Sequence, residues 1–129
     1  MHNPSSVRKI CFVSSRSGVV SENGAVITDW ANGRLITEIS KNPTYQFSLA
    51  IFADPVWNKN YDHKLEPATV YPLPFPMSYF HGLKNTRKIY SIFKKIEEEN
   101  DVLIIQLPII SFIPLLFIRK PVIYHICAN

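Results

Sequence analysis

Cysteine is scarce in this 129-residue chain, which carries only Cys11 and Cys127. Two cysteines are too few for a disulfide-stapled scaffold, and no charged segment followed by a long apolar one marks a secretory signal. An excess of one charge sign is also missing, because 14 basic and 10 acidic residues leave a net charge of only +4. We therefore expect a reduced, cytoplasmic protein. Its mild charge favours an anionic membrane surface or a phosphorylated ligand and does not by itself indicate nucleic acid.

The motifs of several common chemistries are missing as well. Neither the G-x-G-x-x-G pattern of dinucleotide-binding proteins nor the lysine–serine/threonine pair of a P-loop occurs in the sequence. The four histidines are scattered without metal-ligand spacing, and no serine sits in a nucleophile elbow. We expect no metal site, and these patterns assign no catalytic residue.

Apolar segments and helical periodicities alternate along the chain. With 47% hydrophobic and 19% charged residues, the sequence has the composition of one globular domain that spans residues 1–129. Strands are predicted at 8–14, 45–53, 68–73, 102–106 and 122–126, and helices at 25–40, capped by Asn23, and at 86–98, with a short apolar helix or turn at 109–118. This alternation predicts an α/β fold with a doubly wound parallel sheet of about five strands.

The uncharged run at 102–118 is long enough to consider as a membrane span, because the lower limit for a spanning helix is about 17 residues. Gln106, Pro108 and Pro114 interrupt the run. We therefore favour a buried strand followed by a buried helical segment. A small membrane-anchored protein is the alternative.

The segment at 14–24 is the first candidate site. It follows the first predicted strand and leads into a helix, which is where such sheets bind ligands, and Gly18 and Gly24 permit backbone turns. His125 lies near the carboxyl end of another predicted strand. The alternative interpretation is a simple connecting loop and a packed histidine.

The helix at 86–98 is the second candidate, as a surface. Its apolar positions (Ile89, Ile92, Phe93 and Ile96) oppose a basic face formed by Arg87, Lys88, Lys94 and Lys95. A proline-stiffened aromatic segment at 71–80 precedes it, and this combination suits docking on anionic lipid headgroups. The alternative is a core-facing helix with a solvated charged side.

Three segments carry a resemblance to a known family. They are Arg8-Lys-Ile-Cys-Phe-Val with the small-residue loop containing Asn23-Gly24, then Glu98-Glu-Asn-Asp-Val-Leu-Ile-Ile-Gln-Leu-Pro, and finally Arg119-Lys-Pro-Val-Ile-Tyr-His-Ile. In this order the chain resembles the N-terminal part of GT-B glycosyltransferases of the family-4 (glycosyl transferases group 1) type. The resemblance implies a Rossmann-like sheet and, because the chain stops after the last predicted strand, an incomplete N-terminal GT-B domain.

The resemblance also implies an activity. Such enzymes move a sugar from a nucleotide-sugar donor to a polysaccharide or lipid-linked acceptor at the cytoplasmic face of the cell membrane, and their N-terminal domain receives the acceptor. The acceptor-binding residues implied here are Ser17, Gly18, Asn23, Gly24 and His125. The donor-binding domain is absent from the sequence, so we expect no cofactor in this chain and no turnover without a separate or missing C-terminal domain. The competing hypothesis is a non-enzymatic, flavodoxin-like α/β domain that binds a ligand or partner.

Overall fold

A computed structural model describes residues 8–41, 44–67, 69–74, 86–107 and 119–126. Within these ranges the chain forms one sheet of seven strands, with two helices packed on it. The elements are β1 (Arg8–Val20), β2 (Val26–Thr28), α1 (Trp30–Ser40), β3 (Tyr45–Ala53), β4 (His63–Leu65), β5 (Thr69–Pro74), α2 (Thr86–Glu99), β6 (Val102–Leu107) and β7 (Val122–Ile126).

Five of the strands run parallel, in the order β5–β3–β1–β6–β7. The central strands β1, β3 and β6 bury apolar side chains on both faces, because each helix covers one face of the sheet, whereas Ile123 and Tyr124 of β7 are exposed. Ile36 of α1 packs with Phe12 and Leu49 in one core cluster, whereas Phe93 of α2 packs with Leu103 in the other. Because these five strands are parallel, their carboxyl ends meet at one edge of the sheet, which we call the carboxyl edge.

The remaining two strands extend the sheet in the antiparallel sense. After an irregularity between Val13 and Ser17, the last residues of β1 pair antiparallel with β2, and β2 pairs antiparallel with β4. Gly24 makes the β1–β2 turn possible, because its φ of 87° lies in a region that favours glycine. The Asn23 side-chain oxygen accepts a hydrogen bond from Ala25 N at 3.1 Å in the same turn.

The predicted doubly wound, Rossmann-like parallel fold is wrong. The sheet is mixed, and the connection from β3 to β5 contains β4 and no helix within the described residues 54–67. The predicted helix at 25–40 is in fact β2 followed by α1. Its N-cap is Asp29 instead of Asn23, since the Asp29 carboxylate accepts a hydrogen bond from Asn32 N at 2.9 Å.

The apolar run at 102–118 begins as strand β6, in which Leu103 and Ile105 are fully buried. The predicted helix or turn at 109–118 lies outside the described residues, as do residues 75–80 of the aromatic segment and the chain end after 126. Among the residues that the structure describes, no helix is long and apolar enough to span a membrane.

Candidate functional site at the carboxyl edge

The direction in which successive parallel strands are added to the sheet reverses between β1 and β6. From β1 the chain passes through β2 and then through α1, which covers one face of the sheet, to β3 on one side of β1. Later in the chain α2, which covers the other face, leads to β6 on the opposite side of β1. Open α/β sheets bind ligands outside the carboxyl ends of their strands at such a reversal. The first place to search for a site is therefore the carboxyl edge beside β1 and β6.

Polar side chains occupy this position. Ser14 and Ser15 directly follow the part of β1 that pairs with β6, and Gln106 lies near the end of β6. The Gln106 side-chain oxygen accepts hydrogen bonds from Ser15 N at 3.0 Å, Ser15 Oγ at 3.1 Å and Ser14 Oγ at 3.2 Å. Ser14 is completely buried and Gln106 is 2% exposed, so this contact fixes the two strand ends relative to each other.

A second amide from α1 completes the network. Asn32 is buried, and its Nδ2 donates hydrogen bonds to Ser14 Oγ at 3.3 Å and to Thr28 Oγ1 at 3.2 Å. Thr28 Oγ1 donates in turn to the Ser17 carbonyl at 3.0 Å. Buried polar groups are costly unless they are paired, so this network holds the irregular part of β1 in one conformation. We call Ser14, Ser15, Thr28, Asn32 and Gln106 the amide–hydroxyl network.

Charged and aromatic groups surround this network. The exposed Arg16 guanidinium lies 3.8 Å from the carboxylate of Asp29, the N-cap of α1. The following residue, Trp30, is 56% exposed, and the Arg34 guanidinium lies over its ring at 5.2 Å from the centroid. The rim therefore offers a cation, a carboxylate and an indole to a ligand.

A tyrosine links the ends of β1 and β3. Tyr61 OH donates a hydrogen bond to the Asp54 carboxylate at 2.6 Å and shares a second one of 2.8 Å with Ser17 Oγ. Burial and the hydrogen bond to Asp54 raise the pKa of Tyr61 above its ordinary value. The phenol therefore keeps its proton, and its hydrogen bond to Asp54, to a higher pH than an ordinary tyrosine would.

The predicted acceptor residues are not all brought together. Ser17 lies at the carboxyl edge, and the backbone of His125 in β7 stands opposite Gln106 in the strand register. Asn23 and Gly24, in contrast, form the β1–β2 turn, where local hydrogen bonds account for both residues. The predicted loop at 14–24 is therefore mostly strand, because Ser14–Val20 continues β1.

Gly18 lies within β1 and not in an open loop. A Cβ added at Gly18 would come 2.7 Å from the carbonyl oxygen of Ile27 and 3.2 Å from Ile51 Cδ1. The close approach of β2 and β3 explains this glycine, so ligand access is not needed to explain it.

The predicted basic surface is the side of α2 that faces away from the sheet. Ile89, Phe93 and Ile96 of α2 are buried against the sheet, which confirms the core-facing interpretation of that side of the helix. The basic residues on the opposite side are exposed, and none of them forms an ion pair with a carboxylate of the described ranges. These residues are Arg87, Lys88, Lys94 and Lys95.

Sequence reasoning missed Asn32, Asp54, Tyr61 and Gln106 as site residues. A signal existed for Gln106, since it is the only polar residue in the apolar strand Val102–Leu107 and lies at the same edge as Ser14. Among the residues that the structure describes, no group of three histidine, cysteine, aspartate or glutamate side chains could hold a metal ion.

A groove of about 560 Å³ lies at the other edge of the sheet. Residues 45–47 at the start of β3, residues 64–67 and the last turns of α1 line it. Its size suits a small ligand. The buried amide–hydroxyl network nevertheless lies at the carboxyl edge, so we place the candidate site there.

Protein-family models, curated proteins and solved structures gave no match to this chain. The functional argument therefore depends on the site's own geometry. That geometry combines neutral donors and acceptors between β1 and β6 with a rim formed by Arg16, Asp29, Asp54 and two exposed indoles, Trp30 and Trp57.

Proposed function

We propose that this chain is the acceptor-side part of a glycosyltransferase. It holds a polysaccharide or lipid-linked sugar acceptor at the carboxyl edge, while a nucleotide-sugar donor binds to a separate domain. The observation that supports this most is the amide–hydroxyl network between β1 and β6. The network is buried and bonds within itself, so it fixes the ends of β1 and β6. The partly exposed groups beside it, Ser15, Arg16 and Asp54, are the ones that can exchange hydrogen bonds with a hydroxyl-rich, uncharged ligand.

The same geometry supports a chain that binds the acceptor while another domain binds the donor. Sugar transfer requires the donor phosphates to be neutralised and both substrates to be held in reacting geometry. Arg16, which follows Ser15 of the network in the chain, already faces Asp29 at 3.8 Å, so its charge is partly offset. We therefore expect the 129-residue chain by itself to bind the acceptor without transferring sugar.

A membrane location is part of the proposal. A lipid-linked acceptor is presented at a membrane surface, and a cluster of four or more basic residues on a helix face suits anionic lipids. The exposed face of α2 offers Arg87, Lys88, Lys94 and Lys95. We propose peripheral contact of this face with the cytoplasmic side of the cell membrane.

A second candidate function is a non-enzymatic domain that binds a protein partner. It is favoured by Val56 and Trp57, which are 67% and 60% exposed next to the site. Exposed aromatic residues of this kind often act as anchors in protein interfaces. An oligosaccharide titration separates the two functions, because only the first requires a sugar to bind.

The test is calorimetric titration of the purified chain with maltotriose, cellotriose and chitotriose, and separately with UDP-glucose. We expect saturable binding of at least one oligosaccharide. Gln106→Leu should abolish it at a temperature where urea unfolding shows this variant to be folded, whereas Gln46→Leu, the same change at an exposed position of β3, should leave it intact. Binding of UDP-glucose with no oligosaccharide binding would contradict the acceptor-side role. Sugar transfer by the chain alone would contradict the proposal that a separate domain binds the donor.

A further inference from the structure

The segment between β3 and β4 is held in shape by its own side chains. Asp54 Oδ1 accepts a hydrogen bond from Val56 N at 3.0 Å, and Asn58 Oδ1 accepts one from Asn60 N at 2.8 Å. Such contacts of a side chain with the backbone two residues further on stabilise turns. Tyr61 N closes the segment by donating to the Asn58 carbonyl at 3.1 Å. The exposed residues between these turns are therefore presented in a defined position.

Trp57 is the largest of those exposed residues. Its indole N–H donates to the Tyr61 carbonyl at 3.2 Å, although the side chain as a whole is 60% exposed. That N–H is the only hydrogen-bonding group of an indole, so the surface left to solvent is the apolar ring. A ring fixed in this way loses little conformational freedom when a ligand binds.

Tyr61 connects the Trp57 ring to polar groups of the site. Its carbonyl holds the indole, and its hydroxyl bonds to Asp54 and Ser17. A carboxylate can accept about four hydrogen bonds. Asp54 accepts one from Val56 N and one from Tyr61, which leaves room for a hydroxyl group of a ligand.

We propose that Trp57 stacks against a pyranose ring of the acceptor, while Asp54 accepts a hydrogen bond from one of that ring's hydroxyl groups. This inference rests on the proposed function and names the contact that recognises the sugar. The negative face of an aromatic ring attracts the partly positive C–H groups on one face of a pyranose. The sugar hydroxyls around that face need polar partners, which Asp54 supplies.

The other exposed indole at this edge is less suited to stacking. The Arg34 guanidinium lies over the Trp30 ring at 5.2 Å from its centroid, so a cation already occupies one face. No such cation–π contact is found for Trp57 among the described side chains. Trp57 is therefore the candidate for stacking on a sugar, and Trp30 is the comparison within the same chain.

The chain has only two tryptophans, and this makes the test direct. In Trp30→Phe all tryptophan fluorescence comes from Trp57. Saturation with the oligosaccharide that binds in calorimetry should shift this emission to the blue and protect it from acrylamide quenching. In Trp57→Phe, which retains only Trp30, we expect neither change.

Affinity supplies a second readout. Trp57→Ala should weaken binding of the oligosaccharide about tenfold, and Trp57→Phe, which keeps an aromatic face, should weaken it less. Val56→Ala is the matched control, because it truncates the exposed neighbour of Trp57. We expect this variant to bind as tightly as the original chain.

The inference and the proposed function fail in different ways. If the oligosaccharide still binds, Gln106→Leu abolishes that binding and the Trp57 emission does not respond, stacking on Trp57 is wrong and the acceptor site stands. Equal affinity of Trp57→Ala and the original chain for the oligosaccharide would likewise show that stacking on Trp57 is wrong and leave the acceptor site standing. If none of the oligosaccharides binds to the original chain, both proposals are overturned.

Discussion

Gly33 of α1 lies directly against the imidazole ring of His63 on β4. A Cβ added at Gly33 would come 2.5 Å from two of the ring carbons, which is closer than such atoms approach each other in proteins. One turn further along the helix, Thr37 Oγ1 forms a 3.2 Å hydrogen bond with His63 Nε2. This contact holds the antiparallel extension of the sheet to α1 and explains a glycine in the first turn of this helix.

We predict that Gly33→Ala destabilises the fold, although alanine favours a helix by about 1 kcal/mol over glycine. Overpacking of a closely packed site costs about 1 to 3 kcal/mol, which exceeds that gain. Urea unfolding measures the difference. His63→Ala removes the two ring carbons at 2.5 Å and keeps the His63 Cβ at 2.7 Å, so in that background Gly33→Ala should cost clearly less. Destabilisation of equal size in both backgrounds would contradict the packing explanation.

Gln106 should contribute strongly to stability. Its side-chain oxygen accepts three hydrogen bonds from Ser14 and Ser15, and leucine at this position would leave those donors without that acceptor. We expect Gln106→Leu to lower the free energy of unfolding by about 2 to 3 kcal/mol. Gln46→Leu, at an exposed position, should change it by less than about 0.5 kcal/mol. Equal effects in urea unfolding would show that the network is not a stabilising contact.

The stability of the protein should fall at alkaline pH. Burial and the hydrogen bond to the Glu99 carboxylate raise the pKa of Tyr71 to about 12. The unfolded chain releases this proton near pH 10, whereas the folded chain keeps it to about pH 12. The folded state therefore binds more protons in this window, and the contribution of Tyr71 is complete below pH 10 and lost as the pH rises towards 12.

Tyr71→Phe tests this assignment. The variant loses hydrogen bonds at neutral pH, which should cost about 1 kcal/mol, but its free energy of unfolding should decline less steeply above pH 10. Tyr45→Phe is the control, because Tyr45 is 37% exposed. Its alkaline decline should run parallel to that of the original chain. A decline in Tyr71→Phe as steep as in Tyr45→Phe would assign the titration to other groups.

Long apolar segments allowed their elements to be predicted from the sequence. The predicted strand at 45–53 is confirmed as Tyr45–Ala53, and the predicted helix at 86–98 as Thr86–Glu99. The strand segment is one continuous buried run from Phe47 to Phe52, and the helix repeats its buried apolar residues at helical spacing. The strands β2 and β4 have three residues each, which is too short for a pattern. They exist because they pair with each other and with the end of β1, and such pairing is not visible in a local window.

The candidate site was harder to predict for a related reason. Serine and glycine normally mark turns, so Ser14–Val20 had the composition of a loop, and only pairing with β2 and β3 makes it a strand. Gln106 lies 92 residues from Ser14 along the chain. Their contact follows from the order of the strands, which the sequence alone did not determine.

The basic face of α2 should bind anionic membranes. Replacing Arg87, Lys88, Lys94 and Lys95 by glutamine should weaken cosedimentation with phosphatidylglycerol-containing vesicles at low salt, by about fivefold for each cation removed. High salt should release the original chain, because the attraction is screened.

A matched control separates the α2 face from net charge. Replacing Arg8, Lys9, Lys41 and Lys64 by glutamine also removes one arginine and three lysines, so either variant falls from +4 to 0. Lys41 and Lys64 already pair with glutamates. We expect this variant to retain most of its vesicle binding, and equal losses in the two variants would contradict a docking role for α2.

The location of sugar binding tests the central proposal most directly. In two-dimensional amide NMR spectra of the isotope-labelled chain, titrated with the oligosaccharide that binds in calorimetry, we expect the largest shifts at Ser15, Arg16 and Gln106. Shifts confined to Gln46 and Lys64, which line the groove at the opposite edge, would contradict a site at the carboxyl ends of β1 and β6.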